Sequence, residues 1–474
     1  MDSATYASPF SWRYGRAELR SLFSEQTRRR LWRCVWVALA EAQAAEGLVT
    51  EAEVADLRAH AGHIDIDAAL AIEREIHHDL MAEIRVFASQ AKTGGAKLHL
   101  GATSMDVEDT VETYRLRLAL SWIGASLQDL LRAFAEKIRE YAHLTCMAFT
   151  HLQPAEPTTL GYRLAVYAQD LTIDDAALRF AFENLTTKGL RGAVGTAASY
   201  EHLLDGSGKS SEIERYVLGK FGLEAREIST QTYPRKLDYL LLTALAGLGA
   251  SLSKFAADVR ILSSPEFGEV AEPFGKAQVG SSAMPFKRNP ILCERIDSLA
   301  RLLAGYSDVA WQNAATNYLE RTLDDSANRR TILPEAMLCA DELVSLAKRV
   351  IGGLKVNERR IAHNLRTYGP FAGTEAVMME AVRSGGDRQQ VHETIRSASM
   401  QAWESLARGE DNPLSQLLVE DRDLTSRVDP AEIRRLLDPG KHVGTAPQRA
   451  LLLADNIENM QPFPKQDEVP LHVS

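Results

Sequence analysis

Residues 111–141 read VETYRLRLALSWIGASLQDLLRAFAEKIREY. Apolar side chains recur every three to five positions along this stretch, and no proline interrupts it. The apolar positions are Val111, Tyr114, Leu118, Ile123, Leu127, Leu130, Phe134, Ile138 and Tyr141. Because this spacing places them on one face, the stretch predicts a long helix with a single apolar stripe.

Four later segments repeat the same periodicity: residues 164–185, 237–262, 296–309 and 343–354. Long helices joined by short connections bury such stripes most simply in an antiparallel bundle. No run of alternating β-branched residues competes, so the chain is predicted to be all-α. We expect some of the stripes to face another subunit, in a homo-oligomer.

Breaks in the pattern divide the chain into three predicted domains. Residues 1–105 hold shorter helices, residues 106–356 form the central long-helix bundle with a loop at 276–290, and residues 357–474 hold shorter helices again. Glycine and proline pairs interrupt the first and last of these regions but leave the long stripes intact.

Composition limits the classes of partner. The chain has 474 residues, 45% of them hydrophobic, and a net charge of −10. An acidic chain is not expected to bind nucleic acid, so any anionic ligand must meet a local cluster of cations. The four scattered cysteines predict neither a disulfide framework nor a zinc ribbon. The N-terminus lacks an apolar secretion core, and residues 239–253 look too short and too rich in Gly and Ser to span a bilayer. We therefore expect a soluble, cytoplasmic protein without a membrane partner.

One polar segment stands out at residues 280–290, which read GSSAMPFKRNP. Tandem serines precede a Lys-Arg pair, and Asn289 and Pro290 suit the N-cap and first position of a new helix. A polar loop that ends at a helix N-terminus is suited to an anionic ligand. The alternative is an ordinary basic turn, and the spacing does not fit a Walker phosphate loop.

Other polar clusters fall where helical stripes begin or end. They cover residues 13–14, 77–79, 99–104, 150–159, 231–236, 294–295 and 320–330. Each has a structural explanation when taken alone. Thr103 or Asp106 suits a helix cap, and the pair His77-His78 suits one exposed and one buried histidine. The run from Arg321 to Arg330 suits a solvated ion-pair face, and His151 suits an ordinary loop.

Together the clusters suggest chemistry. The histidines lack the spacing of metal ligands, so no metal site is predicted. Two candidate proton carriers, a serine-bearing loop and several cations fit an elimination from a polyanionic substrate. In such a reaction one group protonates the leaving atom while another removes a proton next to a carboxylate.

The segment from Gly280 to Pro290 resembles the signature loop of the fumarase/aspartase superfamily, and in particular that of the adenylosuccinate lyases. Residues 99–104, 150–159 and 188–196 are similar to further motifs of the superfamily, and residues 321–330 to the nucleotide-binding segment of the animal-type enzymes. The resemblance implies a three-domain all-α homotetramer with a central long-helix bundle and shared active sites. It also implies reversible β-elimination of fumarate from adenylosuccinate to give AMP, and from succinylated aminoimidazole carboxamide ribotide, without a metal or other cofactor.

The same resemblance implies catalytic roles. Ser281 is the expected base for the Cβ proton of the succinyl group, and the chemistry of the residues leaves Ser282 open as an alternative. His151 is expected to protonate the departing nitrogen, with Glu294 orienting its ring. His78 is expected to assist near the nucleotide and succinyl groups. Two further residues, Lys287 and Asn289, are expected to stabilise the carbanion.

Substrate-binding roles follow in the same way. Thr103, Ser104 and Gln231 are expected to hold the succinyl group. The residues expected to bind the ribose phosphate and neighbouring groups are Arg13, Tyr14, Arg295, Arg321, Ser326 and Arg330. The remaining predicted substrate-binding residues are His77, Asp79 and Thr158. Two other functions stay open: a lyase that releases fumarate from a different succinyl adduct, and a helical structural protein. The set Ser281, Lys287, Asn289 and His151 argues against the structural protein, which needs none of them.

Overall fold

Short helices make up the first hundred residues of the fold. The computed structural model describes residues 4–275, 278, 280, 282–284 and 286–469. The first helices are α1 (Ala17–Leu22), α2 (Glu25–Ala45), α3 (Glu51–His60), α4 (Ile66–Ile76) and α5 (Asp79–Gln90). Arg29 and Arg33 of α2 are buried and bind the buried Glu83 of α5 at 3.0 and 2.7 Å. This buried ion cluster holds α2 against α5.

Long helices dominate the middle of the chain. The elements there are α6 (Ser104–Glu140), β1 (Thr145–Thr150), β2 (Gln153–Thr159), α7 (Leu160–Asn184), α8 (Ala198–Leu203), α9 (Ser210–Lys220), α10 (Lys236–Leu262), β3 (Val270–Ala271), α11 (Ile291–Ala315), α12 (Ser326–Gly352) and β4 (Lys355–Val356). Each predicted apolar stripe lies in one of the five long helices, apart from a few residues at helix ends. The described residues contain two sheets, β1–β2 and β3–β4, each of two antiparallel strands. The all-α prediction is confirmed.

The long helices pack into one bundle with a continuous apolar core. Helices α10 and α11 run antiparallel, and Ser253 near the end of α10 donates to Asp297 near the start of α11 at 2.8 Å. Phe134 of α6 and Phe255 of α10 meet edge to face with ring centroids 5.1 Å apart. The bundle therefore has defined ends, which matters for where the functional groups lie.

The last part of the chain has a core of its own. It contains α13 (Glu358–Tyr368), α14 (Thr374–Arg383), α15 (Arg388–Ala407), α16 (Leu414–Glu420), α17 (Arg422–Thr425), α18 (Pro430–Leu436) and α19 (Ala446–Glu458). A second apolar cluster spans Val377 to Leu437, whereas α19 packs back onto α6 and α7 of the bundle. The domain boundaries at 105 and 356 stay predictions.

Helix α10 corrects one expectation about membranes. It extends beyond residues 239–253 to 27 residues and is, among the described helices, the one long and apolar enough to cross a bilayer. A core helix of a soluble protein meets the same criterion, and α10 packs against α7, α11 and α12.

Candidate active site

The start of α6 brings two predicted residues, His78 and Ser104, within hydrogen-bond distance of each other. Thr103 is the N-cap of α6 and Ser104 its first residue. His78 is the N-cap of α5, and its Nδ1 accepts from the Met81 N–H at 3.4 Å. With Nδ1 acting as acceptor, a neutral ring carries its proton on Nε2, which lies 3.3 Å from the Ser104 hydroxyl. His78 and Ser104 thus form one polar pair.

The neighbouring residues tie this pair to α12. Arg330 donates to the Asp79 carboxylate at 2.8 Å. Burial alone disfavours the charged form of Asp79, but the hydrogen bond and charge of Arg330 outweigh it and lower the pKa of the carboxyl. His77 ends α4 in a left-handed conformation, and both His77 and His78 are exposed. The interpretation of this pair as one exposed and one buried histidine is wrong.

A buried ionic network lies behind Arg330. Arg235 donates to Asp109 at 3.1 Å and to Asp325 at 2.6 Å, and all three side chains are almost fully buried. Arg321 donates to the other oxygen of Asp325 at 2.8 Å. In the first turn of α12, after its N-cap Asp325, Arg329 donates to the buried Asp238 at 2.7 Å. The run from Arg321 to Arg330 is therefore not a solvated ion-pair face but the front of a buried network.

In front of the network lies a polar pocket of about 110 Å³, here called the arginine pocket. Its charged and hydroxyl-bearing lining residues are Glu25, Arg28, Glu108, Asp109, Glu112, Arg115, Arg321, Ser326, Arg329 and Arg330. Burial, and then the charge of Asp79, raise the pKa of Glu108 to about 7, against the opposing charges of Arg28 and Arg330. Two of the predicted phosphate-binding arginines and Ser326 therefore open onto one cavity.

His151 lies on an element that the sequence did not predict. Strands β1 and β2 form a hairpin in which Thr150 pairs with Gln153, so His151 and Leu152 form a two-residue turn. Both turn residues have positive φ, 54° and 61°, and both are exposed. Tight hairpin turns usually meet this requirement with Asn or Gly. His151 therefore lies in a loop, as one interpretation of the sequence had it, and this loop is a tight hairpin turn.

The segment at 280–290 is folded back on itself where the structure describes it. The Asn289 amide donates to the Gly280 carbonyl at 3.0 Å, and a Cβ at Gly280 would lie 2.0 Å from the Lys287 carbonyl oxygen. Position 280 therefore excludes any side chain unless the backbone moves. Lys287 and Ser282 are exposed. The predicted base, Ser281, lies outside the described residues.

The expected anion site at the start of α11 is already occupied. Pro290, not Asn289, is the N-cap. The buried Glu272 carboxylate accepts from the N–H groups of Leu292 at 3.0 Å and Cys293 at 2.9 Å. Because this carboxylate uses the first free N–H groups of the helix, the terminus itself offers no anion site.

The remaining predicted residues are dispersed. Arg13 and Tyr14 lie near each other at the N-terminus, with the guanidinium 5.8 Å from the ring centroid. The backbone N–H of Gln231 donates to the Glu320 carbonyl at 3.3 Å, next to Arg321. Thr158 pairs with Cys146 in the hairpin. Two further predicted residues, Glu294 and Arg295, lie on the first turn of α11.

Glu294 and His151 are not joined in this chain. Within the described residues, neither side chain makes a hydrogen bond or an ion pair. The described residues also contain no group of three or more His, Cys, Asp or Glu placed to hold a metal ion.

The functional groups fall at opposite ends of α12. Ser326 and Arg330 lie at its start, with His78, Asp79 and Ser104 beside them. Its end leads into β4, where Val356 pairs with Val270 just before the 280–290 segment. Since α12 has 27 residues, its ends are about 40 Å apart. Within one chain, the described residues of this segment therefore lie at the opposite end from the arginine pocket.

Several residues of this site escaped the sequence prediction. They are Arg28, Glu108, Asp109, Arg115 and Asp238, whereas Asp325 and Arg329 lie inside the predicted 320–330 cluster but had no assigned role. The basic run at residues 28–30 and the acidic pairs on the periodic helices were the available signals. Neither signal distinguishes a buried partner from a solvated charge.

Comparisons with known proteins show the family to which the chain belongs. A family profile described as "Lyase" matches residues 13–305, and one described as "Adenylosuccinate lyase C-terminus" matches residues 370–450. The chain belongs to the adenylosuccinate lyase family. Members named adenylosuccinate lyase include one from Saccharomyces cerevisiae, which is 36% identical with 100% of both chains covered. Another, from Bacillus subtilis, is 31% identical with 91% of this chain and 96% of the relative covered.

Solved structures support the fold of this family member. A 3-carboxy-cis,cis-muconate lactonizing enzyme from Pseudomonas putida matches with a TM-score of 0.83 over 95% of this chain and 99% of that chain, at 24% identity. A fumarate lyase from a Mesorhizobium species matches with a TM-score of 0.81 over 96% and 100%, also at 24% identity. At this identity the likeness establishes the fold alone.

Proposed function

We propose that the protein is an adenylosuccinate lyase, which splits adenylosuccinate reversibly into AMP and fumarate. It is also proposed to release fumarate from succinylated aminoimidazole carboxamide ribotide, giving the corresponding carboxamide ribotide. The observation that carries the proposal is the arginine pocket. There Arg321, Ser326 and Arg330 lie beside the His78–Ser104 pair, so groups suited to a phosphate adjoin groups suited to a carboxylate.

The proposed reaction needs one base and one acid. The base removes the proton on the carbon next to a succinyl carboxylate, and the freed electron pair forms the double bond of fumarate as the carbon–nitrogen bond breaks. The leaving nitrogen takes a proton from the acid. We assign the base to Ser281 and the acid to His151. A serine needs neighbouring donors or cations to act as a base, and Lys287 and Asn289 are the proposed source of that stabilisation.

The substrate-binding roles are proposed in the same terms. Thr103, Ser104 and Gln231 hold the succinyl group, and His77, His78, Asp79 and Thr158 line the substrate. Arg13, Tyr14, Arg295, Arg321, Ser326 and Arg330 bind the ribose phosphate and its surroundings. Glu294 is proposed to orient His151 from another chain, since the two residues make no contact within one chain.

The separation of the groups supports a homotetramer with shared active sites. The ends of α12 are about 40 Å apart, so a site that uses both must draw on more than one copy. Antiparallel association of long helices from two copies brings opposite ends together. Apolar residues stand exposed at heptad spacing on α7: Val166, Ile173 and Phe180 are 47%, 61% and 55% exposed. A second copy would cover them. The four cysteines are free and buried, which suits the proposed cytoplasmic location.

The test is to incubate the full chain with adenylosuccinate and follow AMP and fumarate. We expect turnover, and an oligomer of about four times the 52.3 kDa chain mass by light scattering. Ser281→Ala and His151→Ala should each abolish turnover while the oligomer persists. Loss of turnover in Ser282→Ala but not in Ser281→Ala would reassign the base. Release of fumarate from another succinyl adduct, but not from adenylosuccinate, would contradict the proposed substrate.

A further inference from the structure

Every arginine that lines the arginine pocket already has a carboxylate partner. The pairs are Arg28–Glu25 at 2.8 Å, Arg115–Glu112 at 2.6 Å, Arg321–Asp325 at 2.8 Å, Arg329–Asp238 at 2.7 Å and Arg330–Asp79 at 2.8 Å. Behind them Arg235 pairs with Asp109 as well as with Asp325. The arginines and their partner carboxylates therefore balance in formal charge.

Among the acidic residues that line the pocket and that the structure describes, Glu108 is the one without an arginine partner. It lines the pocket from the second turn of α6, and its carboxylate makes no ion pair or hydrogen bond with any residue that the structure describes. The charged groups that act on it come from several elements: Arg28 of α2, Asp79 of α5, Arg330 of α12 and Asp109 of its own helix. When ionised, Glu108 adds an uncompensated negative charge to an otherwise balanced pocket.

A phosphate monoester carries a charge of about −1.5 to −2 at neutral pH. Placed among these arginines it would lie beside the free carboxylate, and two unscreened negative groups in a partly buried pocket repel. A protonated carboxyl removes the repulsion and offers an O–H donor to a phosphate oxygen. The five guanidiniums cannot respond in this way, because they stay charged at any accessible pH.

We infer that Glu108 is a phosphate-binding residue that acts in its protonated form, so that binding of the nucleotide takes up one proton from solvent. This inference rests on the proposed function, since it takes the ligand of the pocket to be a nucleoside monophosphate. The proton remains on the carboxyl while the phosphate is bound and returns to solvent on release.

The sign of the pH dependence follows from linkage. Free Glu108 is half ionised near pH 7, because burial and Asp79 raise its pKa to about that value. Uptake of a proton on binding makes affinity fall as pH rises above that point, by roughly 50-fold between pH 7 and pH 9. The phosphate loses its second proton near pH 6, so it is already a dianion throughout this range and does not contribute.

The experiment is calorimetric titration of the full oligomer with AMP at pH 8, in two buffers with different enthalpies of ionisation. For the wild type we expect close to one proton taken up per AMP bound. Glu108→Gln keeps the size and a donor but cannot titrate, so uptake should fall to nearly zero. Its affinity should match that of the wild type within a few-fold at pH 7 and exceed it by roughly 50-fold at pH 9.

The matched control is Glu112→Gln, one turn further along α6. It lines the same pocket but alters a carboxylate that Arg115 already balances, so proton uptake should persist. Wild-type binding without proton uptake would overturn the role of Glu108 whatever the variant does. Uptake that survives in Glu108→Gln would also overturn it. If AMP does not bind the wild type, the proposed function fails together with the inference. If AMP binds without proton uptake, only the inference fails, so the two failures can be told apart.

Discussion

The two ends of the long helices are built in opposite ways. At the starts of α6, α10 and α12, several charged side chains are buried and joined to partners from distant parts of the sequence, as in the contact between Asp109 and Arg235. At the other end, His151 sits exposed on a hairpin tip and Lys287 on an exposed segment. We call these the arginine-pocket end and the hairpin end. One chain forms the buried ionic network of the first end, whereas the second presents its reactive groups outward.

This difference has a physical basis. A buried charge is stable only when paired, so the arginine-pocket end must be organised as the chain folds. Exposed groups have no such requirement, so they can remain unpaired until another surface covers them. On the proposed function, the arginine-pocket end is organised within one chain, while the acid and the base come to it from other chains. Each prediction below tests one side of that contrast.

The largest effect is expected from Arg235→Met at the arginine-pocket end. The change leaves the buried Asp109 without its ion-pair partner, although Asp325 keeps Arg321, and breaking such a buried pair costs about 3–5 kcal/mol in the free energy of unfolding. The adjacent Lys236 is exposed, so Lys236→Met should change stability by about 0.5 kcal/mol or less. Chemical denaturation of both variants measures the difference. Equal destabilisation would contradict the account of a preorganised end.

An intermediate effect is expected from His99→Asn, which alters how stability depends on pH. The Trp36 indole N–H donates to His99 Nδ1 at 3.1 Å. Burial lowers the pKa of His99 to about 4, against the opposing charge of Asp106. Between pH 6.5 and 4 the unfolded chain binds a proton that the folded chain does not. The wild type should therefore lose up to about 3 kcal/mol of stability as pH falls through that range.

Asparagine tolerates the left-handed backbone at this position, where φ is 63°, and its amide oxygen can accept from Trp36 in place of Nδ1. It does not titrate, so His99→Asn should reduce the loss of stability between pH 6.5 and 4. Thermal unfolding midpoints across that pH range provide the measurement. An unchanged pH profile would show that His99 is not the group responsible.

The smallest effect is expected at the hairpin end. Leu152 holds a left-handed conformation that glycine adopts without strain, so Leu152→Gly should raise the free energy of unfolding by about 1 kcal/mol. The control is Gln153→Gly in the adjacent strand, which should lower it by about 0.5–1 kcal/mol, because glycine weakens a strand. A loss of stability in Leu152→Gly would mean that the leucine makes contacts worth more than its strain.

The long helices could be predicted because burying a stripe requires a repeating pattern that is visible in the sequence. The hairpin could not, since its turn contains His151 and Leu152 in place of Asn or Gly, and β2 contains Pro154 and Pro157. Both prolines are tolerated because this sheet has only two strands.

The site was predicted only in part, for a related reason. Residues such as His78, Ser104 and Arg330 stand at helix starts, where the periodic pattern breaks. The partners that organise them, such as Asp109 and Asp325, lie on helices that meet only in the fold. Glu108 is distinctive because it lacks a partner, and only the three-dimensional arrangement reveals that.

The most direct test of the account mixes two inactive variants, His151→Ala from the hairpin end and Arg330→Ala from the arginine-pocket end. If sites form between chains, co-assembled oligomers should recover activity in roughly a quarter of their sites, because each site needs one intact contribution from each variant. A mixture of Arg330→Ala with His78→Ala, which alter the same end, should recover none. Mixed oligomers of the first pair that form yet stay inactive would contradict the central claim that the active site is completed across chains.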